Sequence, residues 1–226
     1  MQGFRAAAVI VSALISTGIR AGDPVASSAD TLVPVQIRGF DQASLRPGAT
    51  LAAYDKILLD EITVSFSKNW RPNDGVIDPW RRVTGADRER IVGDLAALAR
   101  ERFIKVLGSK GGYPVVAAPE AGALHISARI EDLYINAPDV VGGGRSRSYV
   151  RSAGSMTLVA ELRDARTGEL IARVRDRRVD PDSFWLMRAD SVTNSAAAQR
   201  ALDAWAFALR AELDAAHRNH DAPSRR

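Results

Sequence analysis

Arg173, Arg175 and Arg177 occupy alternate positions in the run RVRDRR, with Arg178 beside them. Alternate residues of a strand project to one face, so the first three would form a row of guanidiniums. Their forked N–H donors match carboxylate and phosphate geometry. Arg145 and Arg147 stand just upstream, after Gly142-Gly143-Gly144. Arg173, Arg175, Arg177, Arg145 and Arg147 are therefore the candidate interaction face, suited to an anionic partner. The plainer reading is a solvated outer sheet face. Nucleic acid is not expected, because the row has no interleaved aromatics on which bases could stack.

Other chemistry finds less support. Backbone N–H groups of the glycine run could cradle an anion. No Gly-Lys-Ser/Thr follows, however, and no helix begins there, so this is not a P-loop. Nucleophilic catalysis needs a Ser, a base and an orienting acid; the body of the chain offers only His125, and no Gly-x-Ser-x-Gly elbow exists. A hydrolase would have to gather His125 with a carboxylate such as Glu131. His217-x-x-His220-Asp221 comes close to a helical ligand spacing, but it falls where a terminal helix should fray. Asp176, Asp180 and Asp182 lack the residue order of a calcium loop. No catalytic residue, metal or cofactor is assigned.

The chain has 226 residues, 46% apolar and 26% charged, enough for one domain with a real core. The absence of cysteine excludes disulfides, thiolate metal sites and a Cys nucleophile. A net charge of +4 bears on solubility and steering more than on fold. Met1–Ala21 has a short positive region at Arg5, an apolar run over Ala6–Ile15 and a small residue at Ala21, the order of parts in a secretory signal. The expectation is an exported, periplasmic protein with a cleaved leader and no transmembrane segment thereafter.

The elements that would carry these residues follow from periodicity. Residues 22–44 read as a linker or extended arm, although Leu32, Val33, Val35 and Ile37 could pair along a sheet edge. Tyr54–Phe66 is a strand whose apolar phase changes at Asp60-Glu61, which a bulge would reconcile. Ser67–Val83 is a loop with Trp70 and Trp80, either a recognition patch or a lid over the core edge. Thr84 to Asp87 is a capping box opening a helix with an apolar stripe at Ile91, Leu95, Leu98, Ala99, Phe103 and Val106, ended by Gly108. Leu124–Tyr134 alternates cleanly. Gly154–Val179 reads as a hairpin closed at Arg166–Gly168, with Met156, Leu158, Ala160, Leu162, Leu170, Ala172 and Val174 inward, Ile171 and the arginines outward, and Glu161 opposite Arg173. Trp185 sits in the next connection. Ser195–His217 is a helix with a stripe through Ala198, Leu202, Trp205, Leu209, Leu213 and Ala216, and residues 219–226 a frayed tail. The order is β-α-β-β-β-α. Burying two striped helices and one sheet face gives a two-layer α+β sandwich over residues 45–218, with a mostly antiparallel sheet and both helices on one face.

Four pieces, Leu45-Arg46-Pro47-Gly48-Ala49, Tyr54-Asp55-Lys56-Ile57-Leu58-Leu59, Ala160–Glu169 and Leu202-Asp203-Ala204-Trp205-Ala206, together resemble the bacterial domain of unknown function 3313. The resemblance covers about Leu45 to Leu213 and implies an envelope protein with no established activity and no catalytic residues to carry over. Members of that family generally carry a lipobox cysteine, which this sequence lacks, so a soluble periplasmic form is the expectation. The leading functional expectation is a non-enzymatic interaction or accessory module whose partner is an envelope protein or an anionic envelope component. The alternative is a periplasmic small-molecule or lipid-binding protein, with a cavity beneath the Trp70, Trp80 or Trp185 loops; a hydrolase ranks third.

Overall fold

The computed structural model describes residues 31–136, 148–150, 154–180, 187–189 and 191–221. The leader-like stretch expected over residues 1–21, together with Arg145, Arg147, the glycine run and Trp185, lies outside them. The chain is α+β. Among the described residues, ten strands, β1 (Val33–Val35), β2 (Gln42–Leu45), β3 (Lys56–Leu59), β4 (Thr63–Phe66), β5 (Val115–Val116), β6 (Ala123–Ile135), β7 (Ser148–Val150), β8 (Gly154–Asp164), β9 (Leu170–Val179) and β10 (Met187–Ala189), accompany two α-helices, α1 (Gly85–Leu107) and α2 (Ser191–Asp221). The main sheet runs β1-β2-β9-β8-β6-β3-β5, with β4 also on β6, while β7 and β10 form a separate pair.

The hairpin is the centre of this sheet. β8 and β9 pair antiparallel with Glu161 opposite Arg173. The turn closes through Gly168 at φ 73°, a conformation in which a Cβ would be strained. Asp164 Oδ1 accepts from the Arg166 and Thr167 amides at 2.9 and 2.8 Å. One expectation is corrected here. The register shifts between Leu162 and Arg163, so the phase slips by one residue and Ile171, expected outside, belongs to the core.

β3 and β4 are the two halves of the expected strand. Leu59 pairs with Ile126 and Thr63 with Arg129, so this side uses one residue more than β6, the count of a bulge. Ile57 and Leu59 before it, and Ile62 after it, are all buried. Both halves run parallel to β6, and a parallel pair requires a crossover, which α1 supplies. The sheet thus has an antiparallel arm and a parallel end. The edge pairing left open for Val33 and Val35 occurs: β1 pairs with β2 and β2 with β9, so the sheet begins at Val33.

α1 opens with the expected capping box, Thr84 Oγ1 accepting from the Asp87 amide at 3.1 Å and Asp87 Oδ2 accepting from the Thr84 amide at 3.0 Å. α2 is longer than expected and continues to Asp221. The helices run in the same direction. Arg102 forks onto Asp203 with two 2.6 Å hydrogen bonds, and further along α2 Arg210 Nη1 reaches the Val106 and Leu107 carbonyls that end α1. Their stripes meet one sheet face in a single core containing Phe103, Leu107, Ile126, Leu158, Leu162, Leu202, Trp205 and Leu213. Among the described residues, no helix is long and apolar enough to cross a membrane.

Candidate functional site

The face of the sheet opposite the helices carries the arginine row, and most of its guanidiniums are paired with carboxylates. Arg173 Nη2 lies 2.7 Å from Glu161 Oε1, and Arg163 Nη2 2.8 Å from Glu161 Oε2. Arg175 reaches Glu131 at 3.3 Å and Asp132 at 3.7 Å. Two consecutive carboxylates can meet one guanidinium because β6 bulges there: the register shifts between Glu131 and Tyr134, and Asp132 takes φ 54°, a region Asp tolerates better than most residues. Arg177 Nη2 donates to Ser155 Oγ at 3.0 Å. Beneath these long side chains Thr157 and Val159 are buried, covered by their neighbours' aliphatic stems.

The electrostatics follow the geometry. The Arg163 hydrogen bond holds Glu161 below the usual carboxylate range, with Arg173 reinforcing it against burial. Glu131 is held low first by its hydrogen bond from Arg129, also against burial. Of the sequence-derived interaction face, Arg173 and Arg175 are thus committed to carboxylates on β8 and β6, and Arg177 to a hydroxyl.

His125 lies on the same face, with Nε2 2.7 Å from Asp60 Oδ1, and Ser127 Oγ donates to Asp60 Oδ2 at 2.5 Å. Burial works to raise the Asp60 carboxyl, but the Ser127 and His125 contacts hold it below its ordinary value. In a nucleophilic triad the imidazole stands between Ser and acid. Here the carboxylate stands in the middle, and Glu131 is engaged with arginines rather than His125. His217 Nε2 meets the Tyr54 carbonyl at 3.0 Å. Among the described residues, no three His, Asp or Glu converge as metal ligands.

A different site appears where the two apolar stripes outrun their cover. In α1, Leu95, Ala99, Phe103 and Val106 are buried, whereas Ile91 and Leu98 are only half-buried. In α2, Leu202, Trp205, Leu209 and Leu213 are buried, whereas Ala198 and Ala201 are half-buried. Between these N-terminal halves and the ends of β6, β8 and β9 lies a cleft of about 390 Å³. Its walls include Ile91, Leu95 and Leu98 from α1, Leu133 and Ile135 from β6, Met156 from β8, and Ala197, Ala198 and Ala201 from α2. The three alanines open the space, since a larger side chain at any of them would enter it.

The rim is polar: Arg90, Asp94, Arg178, Asp180 and Arg200 border the cleft. Arg200 Nη2 bonds Asp180 Oδ1 at 2.8 Å, and Arg178 Nε bonds Asp176 Oδ2 at 2.9 Å. Gly154 sits at the mouth with φ 145°, where a Cβ would lie 1.9 Å from the Tyr134 carbonyl oxygen. The same strand ends border a polar recess on the opposite face, lined by Ser67, Asn69, Asp132, Asn136 and Arg177 among others.

Sequence reasoning expected a cavity beneath the tryptophan loops, and the structure divides those tryptophans. Trp70 is a lid. It is buried, stacks on Phe66 at 4.0 Å, and donates Nε1–H to the Ile135 carbonyl at 2.9 Å, beside the cleft. Trp80 is 78% exposed. The cleft residues themselves were legible only as stripe positions, because which part of a stripe stays uncovered depends on strand ends far away in sequence.

A search of curated proteins finds no match. Among solved structures, the chain is similar to protein XCC0632 from Xanthomonas campestris, of family-model DUF330, at 14% identity over 79% of this chain and 94% of that one, with a TM-score of 0.45. It is also similar to the PelC dodecamer from Paraburkholderia phytofirmans, at 16% identity over 72% of this chain and 95% of that one, with a TM-score of 0.37. A family model described as protein of unknown function (DUF3313) matches residues 41–209. The chain belongs to the DUF3313 family.

Proposed function

We propose that this chain is an exported, non-enzymatic binding module of the bacterial envelope, and that the cleft between the helices and the sheet is its ligand site. One observation carries the reading: about 390 Å³ lined by aliphatic side chains and rimmed by arginines and aspartates. Clefts that hold small molecules are apolar with a few placed polar groups and span roughly 300–1,000 Å³. The chemistry suits an amphipathic molecule, its apolar body against Leu95, Leu98 and Met156 and its polar end at the rim. The leader-like sequence of Met1–Ala21 supports export, and the family supports the envelope.

The test is native mass spectrometry of the protein purified from envelopes without detergent. A bound small molecule or lipid released on denaturation is the expected result. A bare chain that also fails to bind a fluorescent fatty acid removes the ligand reading. Capture of a protein partner instead, lost on neutralising Arg173, Arg175 and Arg177, would transfer the function to the outer sheet face.

A further inference from the structure

The loop from β4 into α1 holds two large apolar side chains in solvent. Ile77 is 92% exposed and Trp80 78%. This exposure is built into an ordered loop. Asn73 clamps its ends, donating Nδ2–H to the Val83 carbonyl at 2.9 Å and accepting from the Val83 amide at 2.7 Å. Asp78 caps the 3-10 turn Pro79–Arg81, accepting the Trp80 amide at 3.0 Å. The Arg82 guanidinium donates to the Val76 carbonyl at 3.2 Å. At the base, the Arg88 guanidinium lies 5.0 Å from the Trp70 ring centre. The two side chains are thus presented on a fixed tip.

The tip is cationic. Lys68, Arg71, Arg81 and Arg82 flank it against Asp74 and Asp78, and one of those carboxylates is used as the cap. It also stands at the cleft end of the molecule. Phe66, the last residue of β4, pairs with Leu133 of the cleft wall, and α1 leaves the loop to supply Arg90, Ile91 and Asp94 to the same cleft. Tyr134 and Val179, both exposed, border the mouth.

We propose that the Ile77–Trp80 tip docks the protein on an anionic lipid bilayer. Trp is suited to the headgroup level, where its ring is apolar and its N–H remains hydrated. Arginine stems lie along an interface while their heads stay in water, and basic residues near an anionic surface add attraction that salt screens. An uncharged apolar partner would leave the cations unused; a bilayer carrying phosphatidylglycerol uses both features. Docking is reversible, because the inserted area is one indole and one sec-butyl group.

The experiment is flotation of the mature chain with vesicles of phosphatidylglycerol and phosphatidylethanolamine, and with vesicles of phosphatidylcholine alone. The wild type floats with the anionic vesicles, and less at high salt. The double variant Ile77→Ser/Trp80→Ser lowers the partition coefficient at least tenfold with an unchanged melting temperature, since neither side chain is packed. Arg71→Gln/Arg81→Gln, at two flanking cations whose side chains take no part in holding the loop, flattens the salt dependence. Ala198→Phe, in the cleft, leaves flotation intact. A wild type that stays at the bottom, or a double variant that floats equally well, overturns the proposal. Loss of flotation in Ala198→Phe but not at the tip also overturns it, assigning the lipid contact to the cleft.

Discussion

Trp205 Nε1 donates to Asp176 Oδ2 across 2.7 Å inside the core, joining α2 to β9. The same carboxylate accepts the Asp41 amide at 3.0 Å and Arg178 Nε at 2.9 Å. One buried acid therefore ties the last helix, a central strand and the turn before β2. It also orients Arg178 at the rim of the cleft.

Breaking this bond at the helix should be costly. Trp205→Phe removes the donor and part of a fully buried ring. A lost hydrogen bond to a charged group contributes about 1.5–3 kcal/mol, and the vacated volume adds to it. The expected destabilisation is about 2–4 kcal/mol in urea unfolding. A loss below about 1 kcal/mol would mean that Asp176 finds another donor and that α2 is not anchored through this pair.

The outer face should make stability sensitive to acid. Glu161 is held low by Arg163 first and then by Arg173, with burial opposing; Glu131 is held low by Arg129, also against burial. A carboxylate depressed in the folded state stabilises above its unfolded pKa, about 4.3, and that contribution is lost as pH falls through the lower folded value. Arg163→Gln should raise the Glu161 pKa, read by carbon-13 NMR titration, and lessen the acid dependence of the urea midpoint. An unchanged Glu161 titration would show that the ion pair is not populated in solution.

Charge reversal on β9 should act on the fold before it acts on any partner. Arg173→Glu places a carboxylate directly opposite Glu161. Like charges across a strand pair are destabilising by up to about 1 kcal/mol, and salt should reduce the loss. Arg173→Gln should cost less than half as much. Equal losses for the two variants, independent of salt, would mean that packing of the arginine stem is what matters. Neutral glutamine variants are consequently the cleaner probe of binding by this face.

What could be read from the sequence is what local chemistry determines. The hairpin register at Glu161 and Arg173 follows from side-chain parity and one glycine, and the start of α1 from Thr84 and Asp87. The phase change at Asp60-Glu61 announces its bulge. Ile171 was misplaced because nothing in an alternating pattern marks a register shift beside a turn. Strand direction is equally silent: the alternation in Tyr54–Phe66 is the same whether β6 runs with it or against it. Asp176 does carry a signal, since it stands in phase with Ala172 and Val174 and must therefore face the core. The cleft carries none, as it depends on how far the strand ends reach beneath Ile91, Leu98, Ala198 and Ala201.

That dependence gives the sharpest test of the site. Ala198 is half-buried on the α2 wall of the cleft, where Phe can enter existing space. Burying the added apolar area at about 25 cal/mol per Å² should offset the lost rotamer freedom, so stability should hold or rise by about 1 kcal/mol. Binding of an amphipathic probe should meanwhile fall at least tenfold. Leu98→Ala works in the opposite sense, widening the cleft at a cost of about 1–3 kcal/mol, below the full-core range because Leu98 is only half-buried. A stabilised Ala198→Phe that still binds the probe with native affinity would place the ligand elsewhere. A protein destabilised by Phe in the way an overpacked core is, by about 1–3 kcal/mol, would mean that the space between the helix stripes is already filled.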